Sequence, residues 1–209
     1  CLNSVATITV GISTEPEAGT NNTVTVCSNG TSVDLFASLG GTPSNTGAWS
    51  GASVLSGGHL GTYDPVTMSP GNYVYTVSGV APCADAIATI TVLEETAPNA
   101  GISASHDFCS NGVVEDLFSF LGGTPNVTGT WAGPSVLSGG SLGGFNPVTM
   151  SAGVYTYTVN GVSPCLNSVA TITVGISTAP EAGTNNTVTV CSNGTSIDLF
   201  ASLGGTLSN

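Results

Sequence analysis

The chain has 209 residues with no lysine or arginine, twelve aspartates and glutamates and two histidines, so its formal net charge at pH 7 is −12. Only 6% of its residues are charged, whereas about one quarter are charged in ordinary soluble domains. This composition excludes nucleic acid as a partner, because no side chain can neutralise phosphate.

The composition predicts a folded chain. Hydrophobic residues make up 40% of the sequence, and the β-branched residues fall in alternating runs, whereas disordered segments have low hydrophobicity. No apolar run approaches the roughly 18 residues of a membrane span, so we expect no membrane span in this segment.

The sequence repeats itself with a period of 82 residues. Cys27 recurs as Cys109 and Cys191, and residues 1–45 match residues 165–209 at every position but three. Tandem duplication of this kind builds length. It favours a structural or adhesive surface fibre over an enzyme, so we expect no catalytic activity.

We place the repeat boundaries at prolines that recur with the same period. The predicted organisation is the last strand of a preceding repeat, two complete repeats, and the first strands of a following repeat: residues 1–16, 17–98, 99–180 and 181–209. The linkers are short and end in proline, which should hold consecutive repeats in a semi-rigid line.

Within the repeat 17–98, short alternating segments are separated by turn residues. In chain order they are residues 23–27, an inward face of Val33, Leu35 and Ala37, a strand carrying Trp49, one or two short strands around Leu60 and Tyr63, residues 73–77 and residues 88–92. Six or seven short strands in about 80 residues indicate an immunoglobulin-like β-sandwich. The predicted fold is therefore all-β, with tandem immunoglobulin-like repeats in an elongated array.

Several motifs recur in order through each repeat. They are Val-Cys-Ser-Asn-Gly, Asp-Leu-Phe, Leu-Gly-Gly-Thr-Pro, Gly-x-Trp-x-Gly, Gly-x-Tyr-x-Tyr-Thr-Val, Pro-Cys and Ala-Thr-Ile-Thr-Val. This order resembles the immunoglobulin-like repeats of giant surface proteins from gliding bacteria with a type 9 secretion system, including gliding-motility adhesins. The resemblance implies export to the cell surface and a role in adhesion or filament formation, and its motifs describe the scaffold alone.

The cysteines predict disulfides. Each complete repeat carries two cysteines 56 residues apart, which is typical of an oxidising, extracellular compartment. Zinc is disfavoured, because the chain has no Cys-x-x-Cys and only two histidines. The six candidates are Cys1, Cys27, Cys83, Cys109, Cys165 and Cys191.

Their pairing stays open at this point. Cys27 with Cys83, and Cys109 with Cys165, would close a disulfide inside each repeat. If an odd number of strands separates Cys27 from Cys83, these turns lie at opposite ends of a sandwich, and Cys27 approaches Cys165 of the next repeat. Cys83 with Cys109 is disfavoured, because it would fold back a 26-residue segment of two strands and a linker.

The titratable residues form no predicted catalytic site. His59 becomes Ser141 in the next repeat, and His106 aligns with Val24, so no serine–histidine–aspartate arrangement can be assembled. No cofactor is expected. Acidic residues at the linkers could bind calcium, but Glu94 and Glu95 are replaced one repeat later, which favours plain surface carboxylates.

Four aromatic residues recur in both complete repeats and are predicted as core: Trp49, Trp131, Tyr75 and Tyr157. The tryptophans could alternatively stack on sugars. The expected function is therefore a structural segment of a long extracellular bacterial fibre, whose partners are its own repeats or copies. The alternative is an adhesin module that binds glycans or surfaces through its loops.

Overall fold

The computed structural model describes residues 3–205, and in this range the chain is all-β apart from short 3-10 turns. It separates into two compact units. The first comprises the described residues up to Asn99 together with Val159–Ser168, and the second comprises Ala100–Thr158 and the described residues from Val169 onward.

The first unit contains six strands. They are β1 Asn22–Cys27, β2 Val33–Asp34, β3 Ala48–Gly51, β4 Thr62–Tyr63, β5 Gly71–Val77 and β6 Ala86–Glu95. A four-stranded sheet has the order β1-β6-β5-β3, and β2 pairs with β4 in a second sheet. β1 runs parallel to β6, and the other pairs are antiparallel.

Both sheets of the first unit contribute to one hydrophobic core. In β5, Tyr73, Tyr75 and Val77 point inward, whereas the intervening side chains are more exposed, as the two-residue period of a half-buried strand requires. Leu35 and Tyr63, on the segments of the smaller sheet, are buried in the same cluster. This arrangement is consistent with a β-sandwich.

The second unit repeats this architecture. Its strands are β7 Ala104–Cys109, β8 Glu115–Asp116, β9 Thr130–Ala132, β10 Gly144–Phe145, β11 Gly153–Val159 and β12 Ser168–Ser177. The sheet orders are β7-β12-β11-β9 and β8-β10. The 82-residue period therefore preserves strand order, and β7 is parallel to β12 as β1 is to β6.

The buried side chains keep the same period. Every member of the first core has a buried counterpart 82 residues later. The pairs are Ala18/Ala100, Val26/Phe108, Leu35/Leu117, Leu39/Leu121, Tyr63/Phe145, Tyr73/Tyr155, Tyr75/Tyr157, Val77/Val159, Ala88/Ala170, Ile90/Ile172 and Val92/Val174. Apolar burial at these positions is the main driving force for folding in a chain with so few charges.

The predicted inward face of Val33, Leu35 and Ala37 is wrong in its second half. The strand ends at Asp34, and Phe36–Ser38 forms a 3-10 turn that leaves Ala37 exposed. The cause is local, because Asp34 Oδ1 accepts the backbone N–H groups of Phe36 at 2.9 Å and Ala37 at 3.3 Å. An aspartate that bonds the backbone two residues ahead turns the chain and ends a strand.

The two ends of the chain form no extended strand. Residues 1–16 are predicted as a final strand, yet residues 3–19 have no regular structure. In residues 181–205 the described backbone pairs only at the isolated bridge Thr184↔Gly204. Their equivalents β6 and β1 pair with each other and with β5, so a strand forms only where its partners are present.

Candidate functional site

The first half of the candidate site is the turn at the end of β1. Cys27 lies opposite Glu95 in the parallel pair, and the next residue, Ser28, donates its N–H to the Glu95 carbonyl at 2.9 Å. Gly30 N–H closes the turn on the Cys27 carbonyl at 2.8 Å, and Asn29 Oδ1 lies 3.0 Å from Cys27 Sγ. These bonds fix the position of the sulfur at the strand end.

The second half is the loop between β11 and β12. Cys165 donates its N–H to the Val162 carbonyl at 2.8 Å, and Gly161 donates to Asn167 Oδ1 at 3.0 Å. The Ser163–Pro164 peptide is cis. Glycine is needed at 161, because an added Cβ would lie 2.5 Å from the Cys165 carbonyl oxygen. The loop therefore holds its shape through its own contacts.

A disulfide joins Cys27 to Cys165, with a Cα–Cα distance of 4.9 Å, within the normal range. Both cysteines are buried within the first unit, at 7% and 6% exposure. The bond closes a loop of 138 residues, which in the chain-entropy model stabilises the fold by about 5 kcal/mol. Because 138 exceeds the repeat length, the bond connects residues of two consecutive sequence repeats.

The parallel pairing explains why Cys27 does not bond to Cys83. Cys27 lies opposite Glu95, the last residue of β6, whereas Cys83 precedes the first residue of that strand, Ala86. At about 3.3 Å per residue, the length of β6 separates the two cysteines by roughly 30 Å. The structure therefore has the second of the two pairing patterns left open by the sequence.

The other described cysteines, Cys83, Cys109 and Cys191, are free, and Cys1 lies outside the described residues. The Cys83 thiol is half-buried and donates to the Ser13 carbonyl at 3.7 Å. The Cys109 thiol is exposed and donates to Asn111 Oδ1 at 2.9 Å. Sequence reasoning grouped all six cysteines as equivalent, whereas the structure separates them into a bonded pair and unbonded ones.

The four recurring aromatic residues lie in or beside the cores. Tyr75 and Tyr157 are completely buried, and their hydroxyls donate to the carbonyls of Ser44 and Asn126, each at 2.7 Å. Trp49 and Trp131 are half-buried, with ring centroids 5.0 and 4.9 Å from these tyrosines.

Trp131 also borders a cleft of about 450 Å³ in the second unit. The indole Nε1 donates to the Ser141 carbonyl at 2.9 Å, which fixes the ring. The cleft is lined by Gly129–Gly133 together with Leu137 and Val136, and Val136 is 93% exposed. One side of the tryptophan thus belongs to a shallow, largely apolar surface.

The recurring acids have structural roles in their own turns. Asp198 Oδ1 accepts the N–H groups of Phe200 and Ala201, as Asp34 does in the first repeat. Glu17 Oε1 accepts the Gly19 N–H at 2.8 Å. Among residues 3–205, no three histidine, cysteine, aspartate or glutamate side chains lie close enough to hold a metal ion.

The histidines contact aromatic side chains. His59 meets Phe36 edge-on at 5.4 Å between ring centroids, and His106 stacks on Phe120 at 3.9 Å. These contacts place each imidazole against a hydrophobic surface of its own unit, and they assemble no nucleophile–base pair.

Comparison with known proteins adds no relative. No protein-family model matches the chain, and no curated protein matches it. In the described part of the chain, no helix is long and apolar enough to cross a membrane. The disulfide is the feature that bears on location, because structural disulfides are typical of oxidising compartments.

Proposed function

We propose that this chain is a segment of a long extracellular bacterial surface fibre, built from tandem immunoglobulin-like repeats and serving as a spacer or stalk. The observation that carries this proposal is the 138-residue disulfide. A bond longer than the 82-residue repeat links successive repeats covalently, which a set of independent binding modules would not need.

Two further features support a structural role. The core recurs in strict register, so repeats can be added without designing a new fold. The chain also has no lysine or arginine, which removes every trypsin site and suits exposure to proteases outside the cell. Secretion by a type 9 system, surface attachment and self-assembly are parts of the proposal that follow from the resemblance of the repeats.

Electron microscopy of the native material tests this function. We expect a continuous filament whose density repeats with an 82-residue unit and shows sulfur density between the Cys27 and Cys165 equivalents. Recovery of the protein only as dispersed molecules, with no filament in the cell-surface fraction, would refute the proposal.

The second candidate is a glycan-binding adhesin module, and the cleft beside Trp131 is the observation that favours it. An aromatic ring beside a shallow cleft is a surface on which a sugar ring can stack. A glycan array probed with the chain and with Trp131→Ala separates the two functions. Binding that is lost in the variant supports the adhesin, whereas the fibre proposal requires no glycan signal.

A further inference from the structure

The Cys83 loop has the same structure as the bonded Cys165 loop. Cys83 donates its N–H to the Val80 carbonyl at 3.0 Å, and Gly79 donates to Asp85 Oδ1 at 2.8 Å. These bonds reproduce the two that shape the Cys165 loop. Cys83 Sγ lies 3.7 Å from the Ser13 carbonyl oxygen. Cys165 Sγ lies 3.4 Å from the equivalent oxygen, that of Glu95.

The turn at Cys109 likewise has the same structure as the bonded turn at Cys27. Ser110 donates its N–H to the Ser177 carbonyl at 2.8 Å, and Gly112 donates to the Cys109 carbonyl at 2.8 Å. Asn111 Oδ1 lies 2.9 Å from Cys109 Sγ. The strand-end sulfur at Cys109 is therefore held in the position that bonds at Cys27.

The cavities beside the two loop cysteines show what is absent at Cys83. The cavity beside Cys165 has a volume of about 460 Å³, and one wall is Cys27 with the turn residues up to Thr31. The cavity beside Cys83 has about 360 Å³. Its lining includes Pro16 and residues 84–86, the equivalents of Pro98 and residues 166–168 beside Cys165. None of its lining residues comes from a strand-end turn.

We propose that Cys83 and Cys109 are complementary halves of further disulfides with the geometry of Cys27–Cys165. Cys83 accepts the strand-end cysteine of a neighbouring repeat, and Cys109 bonds to the loop cysteine of another. The partner is a repeat of this same kind, either further along one chain or on a second copy. This inference deepens the proposed fibre, because every junction would then be bonded.

The bond forms by exchange with a small disulfide such as oxidised glutathione. The Cys83 thiolate attacks one glutathione sulfur, forms a mixed disulfide and releases one reduced glutathione. The Cys109 thiolate of a second molecule then attacks the Cys83 sulfur and releases a second. The two protein thiols are oxidised, the glutathione disulfide is reduced, and the protons of the thiols pass to the released glutathione.

This geometry predicts pairing between unlike cysteines only. A strand-end cysteine meets a loop cysteine in the bonded pair, so Cys109 should bond to Cys83, and neither should bond to its own copy. The test uses the 209-residue chain with Cys1→Ser and Cys191→Ser, which leaves Cys83 and Cys109 as the free thiols. One variant then adds Cys83→Ser and the other adds Cys109→Ser.

In a glutathione redox buffer we expect neither variant alone to form a covalent dimer, and we expect their mixture to form one. Non-reducing electrophoresis detects the dimer, and mass spectrometry of chymotryptic peptides identifies the Cys83–Cys109 bond and checks that Cys27–Cys165 is intact. Dimers of either variant alone, or no dimer in the mixture, would overturn the inference.

In native filaments, loss of high-mass species on reduction places the bonds between copies, and an unchanged chain mass places them within one chain. The exchange result does not depend on filaments being found, so it can fail or succeed separately from the proposed function.

Discussion

Residues 22–27 and 186–191 have the same sequence, Asn-Thr-Val-Thr-Val-Cys, and different structures. The first is β1, which pairs along its length with β6 and buries Val26 at 5% exposure. The second forms no strand, and its equivalent residue Val190 is 58% exposed. Because the local sequence is identical, the difference comes entirely from the partner strand, which the second copy lacks in this chain.

The opposite end of the repeat shows the same dependence. Ile172 in β12 is completely buried, whereas Ile8, its equivalent 164 residues earlier, is 87% exposed. Alternating β-branched residues give a segment the capacity to form a strand, and cross-strand pairing determines whether it does so. Each prediction below uses a pair of equivalent positions as experiment and control.

The largest expected effect is at the disulfide. Cys27→Ser should lower the free energy of unfolding of the first unit by about 5 kcal/mol, because it opens a 138-residue loop. Hydrogen exchange of the β6 amides measures this change. Cys191→Ser alters the equivalent free cysteine and should leave the exchange rates unchanged. Equal effects of the two substitutions would contradict the comparison.

The next effect is at the buried isoleucine. Ile172→Ala should cost about 2–5 kcal/mol, because it removes a fully buried side chain and leaves a cavity. Ile8→Ala removes the same atoms from an exposed segment and should change stability by less than about 0.5 kcal/mol. Urea denaturation of both variants is the measurement, and a destabilising Ile8→Ala would show that the end segment packs in solution.

A smaller effect is expected at the turn that ends β2. Asp34→Ala removes the carboxylate that accepts two backbone N–H groups and should cost about 1 kcal/mol, the usual value for a lost cap. Asp198→Ala breaks the same local bonds where no core depends on them. Thermal unfolding of the first unit should respond to the first substitution and be insensitive to the second.

The smallest effect concerns two positions that share a structure and differ in sequence, Tyr63 and Phe145. Burial, together with the charge of Glu94, raises the pKa of Tyr63 from 10.0 to about 12. Between these values the folded protein keeps a proton that the unfolded chain has lost, so the free energy of unfolding falls as pH rises from 10 to 12.

Alkaline unfolding curves of the chain and of Tyr63→Phe measure this effect. The substitution gives the first unit the residue that already stands at 145, so the fall in stability between pH 10 and 12 should become shallower. An unchanged slope would show that the Tyr63 hydroxyl does not titrate with folding.

Much of the fold could be predicted from the sequence, because periodicity and burial are local patterns. The alternation through Tyr73, Tyr75 and Val77 identified the inward face of β5. The segment after Val33 was predicted wrongly, because one carboxylate of Asp34 turned the backbone into a 3-10 turn. A hydrogen bond of this kind overrides the apolar pattern and leaves only a weak signal in the sequence.

The choice of disulfide could not be predicted, because strand count does not give strand direction here. Strict alternation would make β1 antiparallel to β6, whereas they are parallel. One connection therefore crosses the unit without reversing the chain, and it moves Cys27 to the far end of β6 from Cys83. Only the pairing register shows this.

The Cys27–Cys165 bond also sets how the chain responds to tension. A pulling force applied at the two ends passes along the backbone to Cys27, crosses the sulfur–sulfur bond and continues from Cys165. The 138-residue separation would extend to roughly 500 Å if the backbone carried the load, and with the bond intact this length is never released. Both hydrophobic cores lie mainly within this bypassed segment, so tension from the ends cannot draw out their strands until the disulfide is reduced.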